Sequence, residues 1–145
     1  MQEVAFHFNA PDKLAYACRL LRKAHVRGAR LMVLAEPADV AALDQQLWTL
    51  GQGEFIPHCR SDDPAPVRAH SPILIASGPV PPADFEAQVL VNLTQQMPQD
   101  FERFDRVIEV VSSDEGDRLL ARERWRAYRQ AGHEPVRHDL RQAAA

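Results

Sequence analysis

Glycine is scarce where a nucleotide-binding chain would need it. Val4, Phe6 and Phe8 alternate with other residues from Glu3 to Asn9, as along a half-buried strand, and Asn9-Ala10-Pro11-Asp12 follows. A dinucleotide site needs glycines at that turn so that the backbone can approach the pyrophosphate. A Gly-x-x-x-x-Gly-Lys-Ser/Thr sequence is also absent, which removes a P-loop. Apolar residues never run for the ~18 positions that a membrane span needs. Met1-Gln2-Glu3-Val4-Ala5-Phe6 has neither the basic nor the apolar region of a secretory signal, so the expected location is the cytoplasm. There are two cysteines, Cys18 and Cys59, far apart. Without an export signal both are expected as free thiols, Cys18 as a small buried hydrophobe within a helical pattern. Basic surplus is missing too. The net charge is −3 and the pI near 6.0, unlike a protein that coats nucleic acid by neutralising phosphates.

Catalytic and metal-binding groupings are equally thin. His58 and Cys59 are adjacent, with His70 across a loop, and this spacing matches no standard zinc pattern. Ser77 and the Ser112-Ser113 pair have no evident base beside them, and Asp62-Asp63 lies in a polar, proline-containing stretch where solvated carboxylates are expected. The residues therefore point to no enzyme, no metal and no cofactor.

What is present is an alternation of strands and helices in a chain long enough to bury a core. A helix is expected from Pro11-Asp12 to about Val26, stopped by Gly28, with Leu14, Ala17, Cys18, Leu21 and His25 at helical spacing. Arg30 to Ala35, with its Leu-Met-Val-Leu run, reads as a strand covered on both faces. A second helix spans Pro37 to about Leu50, before Gly51 and Gly53. Phe55 to His58 suits an edge strand, and residues 60–71 a loop. Strands follow at Pro72–Ala76, Gln88–Leu93 and Arg106–Val111, the last read as the final strand, with a short helix at Phe101–Phe104. Ser112, with Glu115 three residues on, matches a capping box for a helix reaching Ala131 before Gly132. The expected fold is α/β: a single-domain, Rossmann-like, mostly parallel sheet with helices on both faces and no nucleotide-binding glycine motif. The domain would span residues 1–140, with 141–145 a flexible tail.

Two surfaces look suited to binding. From Arg118 to Arg141 there are seven arginines against three acids, a basic end on an acidic chain. Arg118, Arg122, Trp125 and Arg129 fall on one helical stripe, bordered by Arg126, while Leu120, Ala127, Tyr128 and Ala131 are assigned to the core. Guanidinium groups around an aromatic ring could hold a peptide that is both acidic and hydrophobic. A solvated arginine face, or one that meets nucleic acid, fits the same pattern. The second surface is Trp48 with Phe55. The two could form an exposed aromatic patch, although large aromatics are mostly buried and could equally complete the core.

Several segments resemble a known family. Leu43-Asp-Gln-Gln-Leu-Trp48 and Phe55-Ile-Pro-His58 look like a paired signature of chi subunits of bacterial DNA polymerase III. Phe101 to Val111 and Ala121-Arg-Glu-Arg-Trp-Arg-Ala-Tyr-Arg129 resemble the family's C-terminal block. The resemblance implies an accessory subunit with no catalytic site of its own, within a DNA-directed DNA polymerase holoenzyme. It implies two partners and mainly indirect contact with DNA. One partner is the acidic, phenylalanine-ending C-terminal tail of single-stranded DNA-binding protein, at Val111, Arg118, Arg122, Arg124, Trp125, Arg126 and Arg129. The other is the psi subunit of the clamp loader, at Trp48, Phe55, Pro57 and His58, with a DNA-repair helicase of the XPD type as an alternative occupant. A nucleotide-dependent α/β enzyme with a non-standard site is the competing reading. Cys59-Arg-Ser-Asp-Asp63 departs from the glycine-rich stretch common after that histidine, and His133 stands where many members carry an aromatic.

Overall fold

The computed structural model describes residues 3–49 and 56–143. Strand β1 (Glu3–Ala10) leads into helix α1 (Lys13–Val26), whose Asp12 cap accepts a hydrogen bond from the Ala15 N–H at 3.1 Å. Ala17, Cys18 and Leu21 form its buried stripe, and Gly28, at φ 80°, turns the chain after it. Strand β2 (Leu31–Ala35) is buried at every position, as its unbroken apolar run requires. Helix α2 (Pro37–Trp48) buries Val40, Leu43 and Leu47. Its expected glycine stop, with Leu50 and Phe55, lies outside the described residues.

The remaining elements are β3 (Cys59–Arg60), α3 (Ala65–Ala69), β4 (Ile73–Ser77), β5 (Val89–Asn92), a 3-10 turn at Phe101–Arg103, β6 (Arg106–Ser112), α4 (Glu115–Gln130), β7 (Val136–Asp139) and α5 (Leu140–Ala143). The strands form one seven-stranded sheet in the order β3-β4-β2-β5-β6-β1-β7, and every pair is parallel. Helices α1 and α2 cover one face over Val33, Ile75, Val91 and Val110. Helix α4 covers the other, over Val4, Phe6, Val107 and Val111. This is the α/β, Rossmann-like architecture expected from the strand and helix alternation.

Four local expectations are corrected. Residues 60–71 are not all loop, since α3 forms there, and the described residues 56–58 of the expected edge strand precede the strand that forms at Cys59–Arg60. Arg106–Ser112 is not the final strand. The chain returns beyond Gly132 as β7, which pairs with β1 through Ala5–Val136, Phe6–Arg137, His7–His138 and Phe8–Asp139. The cap of α4 is Asp114, not Ser112: the Asp114 carboxylate accepts from the Asp117 N–H at 3.2 Å, while the Ser112 hydroxyl accepts from the Asp114 N–H.

Candidate functional site

Helix α4 is fixed at both ends by hydrogen bonds to neighbouring chain. At its start the Asp117 carboxylate accepts from the Ser112 N–H at 2.8 Å, from Gln95 Nε2 and from Lys13 Nζ. Burial alone would raise this carboxyl, but the Ser112 N–H and the Lys13 ammonium outweigh it and hold it below the usual carboxylate value. At the other end Gly132, at φ 94°, allows Gly132 N–H to bond Arg129 O and His133 N–H to bond Tyr128 O. Those two bonds are a Schellman ending, which satisfies carbonyls that the helix leaves open.

Two stripes of α4, one residue out of step, do different things. Asp117, Ala121, Arg124 and Tyr128 are buried against the sheet. Arg118, Arg122, Trp125, Arg126 and Arg129 line a groove with Ala121, Val111, Phe6, Phe8 and Arg137. Its volume is about 410 Å³, within the range of roughly 300–1,000 Å³ typical of ligand pockets. The floor is apolar. Phe6 and Phe8 project from β1 on the face that α4 covers, and the Trp125 ring packs on Phe6 with centroids 5.1 Å apart. The rim is cationic. Among the described residues Arg118, Arg122, Arg126 and Arg137 have no carboxylate within salt-bridge distance, while Arg129 reaches Glu134 at 3.4 Å.

The structure thus brings six of the seven residues of the arginine-helix group together: Val111, Arg118, Arg122, Trp125, Arg126 and Arg129. Arg124 is the exception and a correction. Only 3% exposed, it turns away from the groove, and its Nε donates to Glu109 Oε1 at 3.0 Å. Glu109 is fully buried between Val107 and Val111 on β6 and also accepts from Asn92 Nδ2 at 3.0 Å and the Tyr128 hydroxyl at 2.7 Å. Complete burial pushes its carboxyl above the ordinary value against the pull of those donors. The Tyr128 hydroxyl is likewise pushed up, by burial and then by the Glu109 charge. Leu120 and Ala131 also depart from their core assignment, since both are exposed. Phe6, Phe8 and Arg137 were missed. The alternation of Val4, Phe6 and Phe8 fixes their common face, but nothing in it says which face α4 leaves open at the edge.

A model of the family described as DNA polymerase III chi subunit, HolC, matches residues 1–136. The chain belongs to the DNA polymerase III chi subunit family. A chain named DNA polymerase III subunit chi from Pseudomonas aeruginosa is 33% identical over 129 residues, 88% of this chain and 87% of that one. Proteins of the same name from Escherichia coli and Haemophilus influenzae are 28% and 26% identical, over 79% and 80% of this chain and 77% and 79% of their own.

The second signature of this chi-family chain lies at the end of α2 and just before β3, the edge strand opposite β7. The Trp48 side chain is on the surface, 58% exposed, so it does not complete the core. His58 holds it in place. The His58 ring is 5.4 Å from the Trp48 ring, edge to face, and is itself fixed by the Ile56 carbonyl at 2.8 Å and the Asp44 carboxylate. Pro57 lies between these two fixed residues and is half-buried. Phe55 lies outside the described residues. The two cysteines are buried and unpaired with each other, and burial raises both thiols, Cys18 to about 11. No described helix is long and apolar enough to cross a membrane.

Proposed function

We propose that this chi-family subunit is an adaptor that receives the C-terminal tail of single-stranded DNA-binding protein in the α4 groove and is tethered to the clamp loader through psi at Trp48. One observation carries the first half. Four arginines with no carboxylate partner among the described residues surround a floor of Phe6, Phe8, Val111 and Trp125. A ligand that satisfies both parts carries acidic groups beside an apolar side chain. Carboxylates take charge-assisted, two-pronged bonds from guanidinium groups, and the aromatic floor gives apolar area with little lost rotamer freedom. The implied role needs no catalytic group, in keeping with an accessory subunit of a polymerase.

The test is titration of an acidic peptide ending in phenylalanine. Arg122→Ala should weaken it at least tenfold, on the scale of ~1.4 kcal/mol or more for a hot-spot arginine. The loss should be greatest at low salt, because the exposed part of the attraction is screened. Affinity unchanged in Arg122→Ala would remove the groove from this role.

The second surface has its own support in a solvent-facing Trp48 whose ring packs against that of His58. Aromatic rings so presented are typical anchors of protein interfaces. Trp48→Ala should abolish copurification with psi, or with a helicase partner competing for the same patch, and leave tail-peptide affinity unchanged. Retained copurification would place that interface elsewhere.

A further inference from the structure

We propose that Arg137, on the edge strand β7, forms the second cationic wall of the groove and makes it selective for a ligand with more than one carboxylate. This rests on the reading of the groove as a receptor for an acidic peptide, and it names a recognition element that no helix residue supplies. The match to the family model ends at residue 136, so Arg137 lies just outside it.

The register places the side chain. Arg137 is the parallel partner of Phe6, and partners on adjacent parallel strands project to the same face of a sheet. Arg137 therefore shares a face with Phe6 and Phe8, the groove floor, and its guanidinium carbon lies 5.1 Å from the centre of the Phe8 ring. Helix α4 approaches that floor from the other side, since β6 and β1 lie beneath it and β7 lies beyond β1. The apolar floor is thus flanked by Arg118, Arg122, Arg126 and Arg129 on one side and by Arg137 alone on the other. A guanidinium seated on an aromatic ring keeps the in-plane N–H donors with which it grips carboxylates. Arg137 is exposed and, among the described residues, has no carboxylate within salt-bridge distance.

The chemistry of the ligand follows from the two walls. When an apolar side chain fills the floor it lies between the two rims, and a ligand with two carboxylates can meet both. A terminal carboxylate held by α4 leaves Arg137 for an acidic side chain earlier in the peptide. A ligand with a terminal carboxylate and neutral side chains would use only the helix wall. Arg137 is then the residue that distinguishes an acidic tail from any peptide that merely ends in an aromatic residue.

Calorimetric titration with two synthetic peptides tests this. One carries several aspartates ahead of a C-terminal phenylalanine, and the other has asparagines in their place. Arg137→Gln should bind the aspartate peptide about fivefold more weakly, with a shallower dependence on salt, and bind the asparagine peptide as the wild type does. Arg122→Gln should weaken both. If Arg137→Gln binds the aspartate peptide like wild type while Arg122→Gln does not, the second wall is refuted and the groove reading stands. If Arg137→Gln weakens both peptides equally, it acts only by steadying Phe8, and the selectivity is refuted. If neither variant changes either affinity, the groove reading falls and this inference with it. Unchanged thermal midpoints would show that the variants fold, as expected for an exposed edge residue.

Discussion

Arg122 and Arg124 are two residues apart on one helix and have opposite roles. Arg122 stands on the groove rim with no carboxylate beside it among the described residues. Arg124 is buried against Glu109 on β6. At about 100° per residue, two positions are enough to carry a side chain from one face of α4 to another. The same side-chain chemistry then lines an open groove in one place and packs helix on sheet in the other. An unpaired charge is tolerable only where water reaches it, and a buried one needs a partner with good geometry.

The sharpest break of this comparison is Arg124→Ala. It leaves Glu109 enclosed without its cationic partner, with Asn92 and Tyr128 as its remaining donors. Removing one partner of a buried pair costs about 3–5 kcal/mol, a large part of the stability of a domain this size. Urea unfolding should show a much lower midpoint with an unchanged slope. The double replacement Glu109→Leu with Arg124→Met should recover most of that loss. The two terminal nitrogens of Arg124 meet no acceptor in the structure, so the pair is incompletely satisfied and an apolar substitute forfeits little. A double variant as unstable as Arg124→Ala would show that the cluster stabilises more than its geometry indicates.

Trp125→Ala comes next and probes the groove side. The ring lines the groove and packs on Phe6. Peptide affinity should fall by about 2 kcal/mol, roughly 30-fold, with a smaller cost in folding because the ring is only partly buried. A loss of stability comparable to that of Arg124→Ala would move Trp125 from the recognition side of the comparison to the packing side.

The two stripes also explain what could and could not be read from sequence. Arg118, Arg122, Trp125 and Arg129 recur at offsets of 4, 7 and 11, and so do Asp117, Ala121, Arg124 and Tyr128. Periodicity says that both stripes exist but not which one the sheet covers, because the covered one contains an aspartate and an arginine. Burial of Arg124 depends on Glu109, which lies in an otherwise apolar strand, and an isolated acid between Ile108 and Val110 was the available signal. Strands β2, β4 and β5 were legible because Leu31–Ala35, Ile73–Ala76 and Val89–Val91 are buried on both faces and so are apolar runs. Strand β7 was not legible: three of its four residues are exposed and Val136 is its only apolar one, so pairing with β1 rather than its own pattern defines it. The Arg137 wall was hidden with it.

Asp114→Ala tests how much α4 owes to its first turn. Loss of this cap should cost about 1 kcal/mol. It should lower peptide affinity only slightly, since the groove residues begin a turn later at Arg118. A large fall in affinity with little loss of stability would mean that fraying of the first turn reaches the groove.

The smallest effect expected is a dependence of stability on pH that comes from the opposite face of β1. His7 lies between Phe6 and Phe8 and faces α1, where its Nδ1 shares a hydrogen bond with the Tyr16 hydroxyl, while its ring meets that of His138 on β7 at 4.8 Å. Burial first, then His138 and Arg106, lowers its pKa from 6.5 to about 4. Between those values the unfolded chain takes up a proton that the folded one refuses, so stability falls on acidification from about 6.5 and this contribution levels off near 4. Asp117 and Asp139 have depressed values, so their contributions are lost at lower pH, as it falls below the ordinary 3.8. His7→Gln, which keeps an acceptor for Tyr16, should flatten the upper window and leave the lower one. Urea midpoints at about pH 7, 5.5 and 4.5 measure this directly. Because His7 points away from the groove floor, the affinity of the acidic peptide at about pH 7 and 5.5 should be the same in His7→Gln as in wild type. Equal pH slopes of stability in the two proteins would show that the His7 environment does not penalise its proton, and a changed affinity would show that the two faces of β1 are coupled through β7.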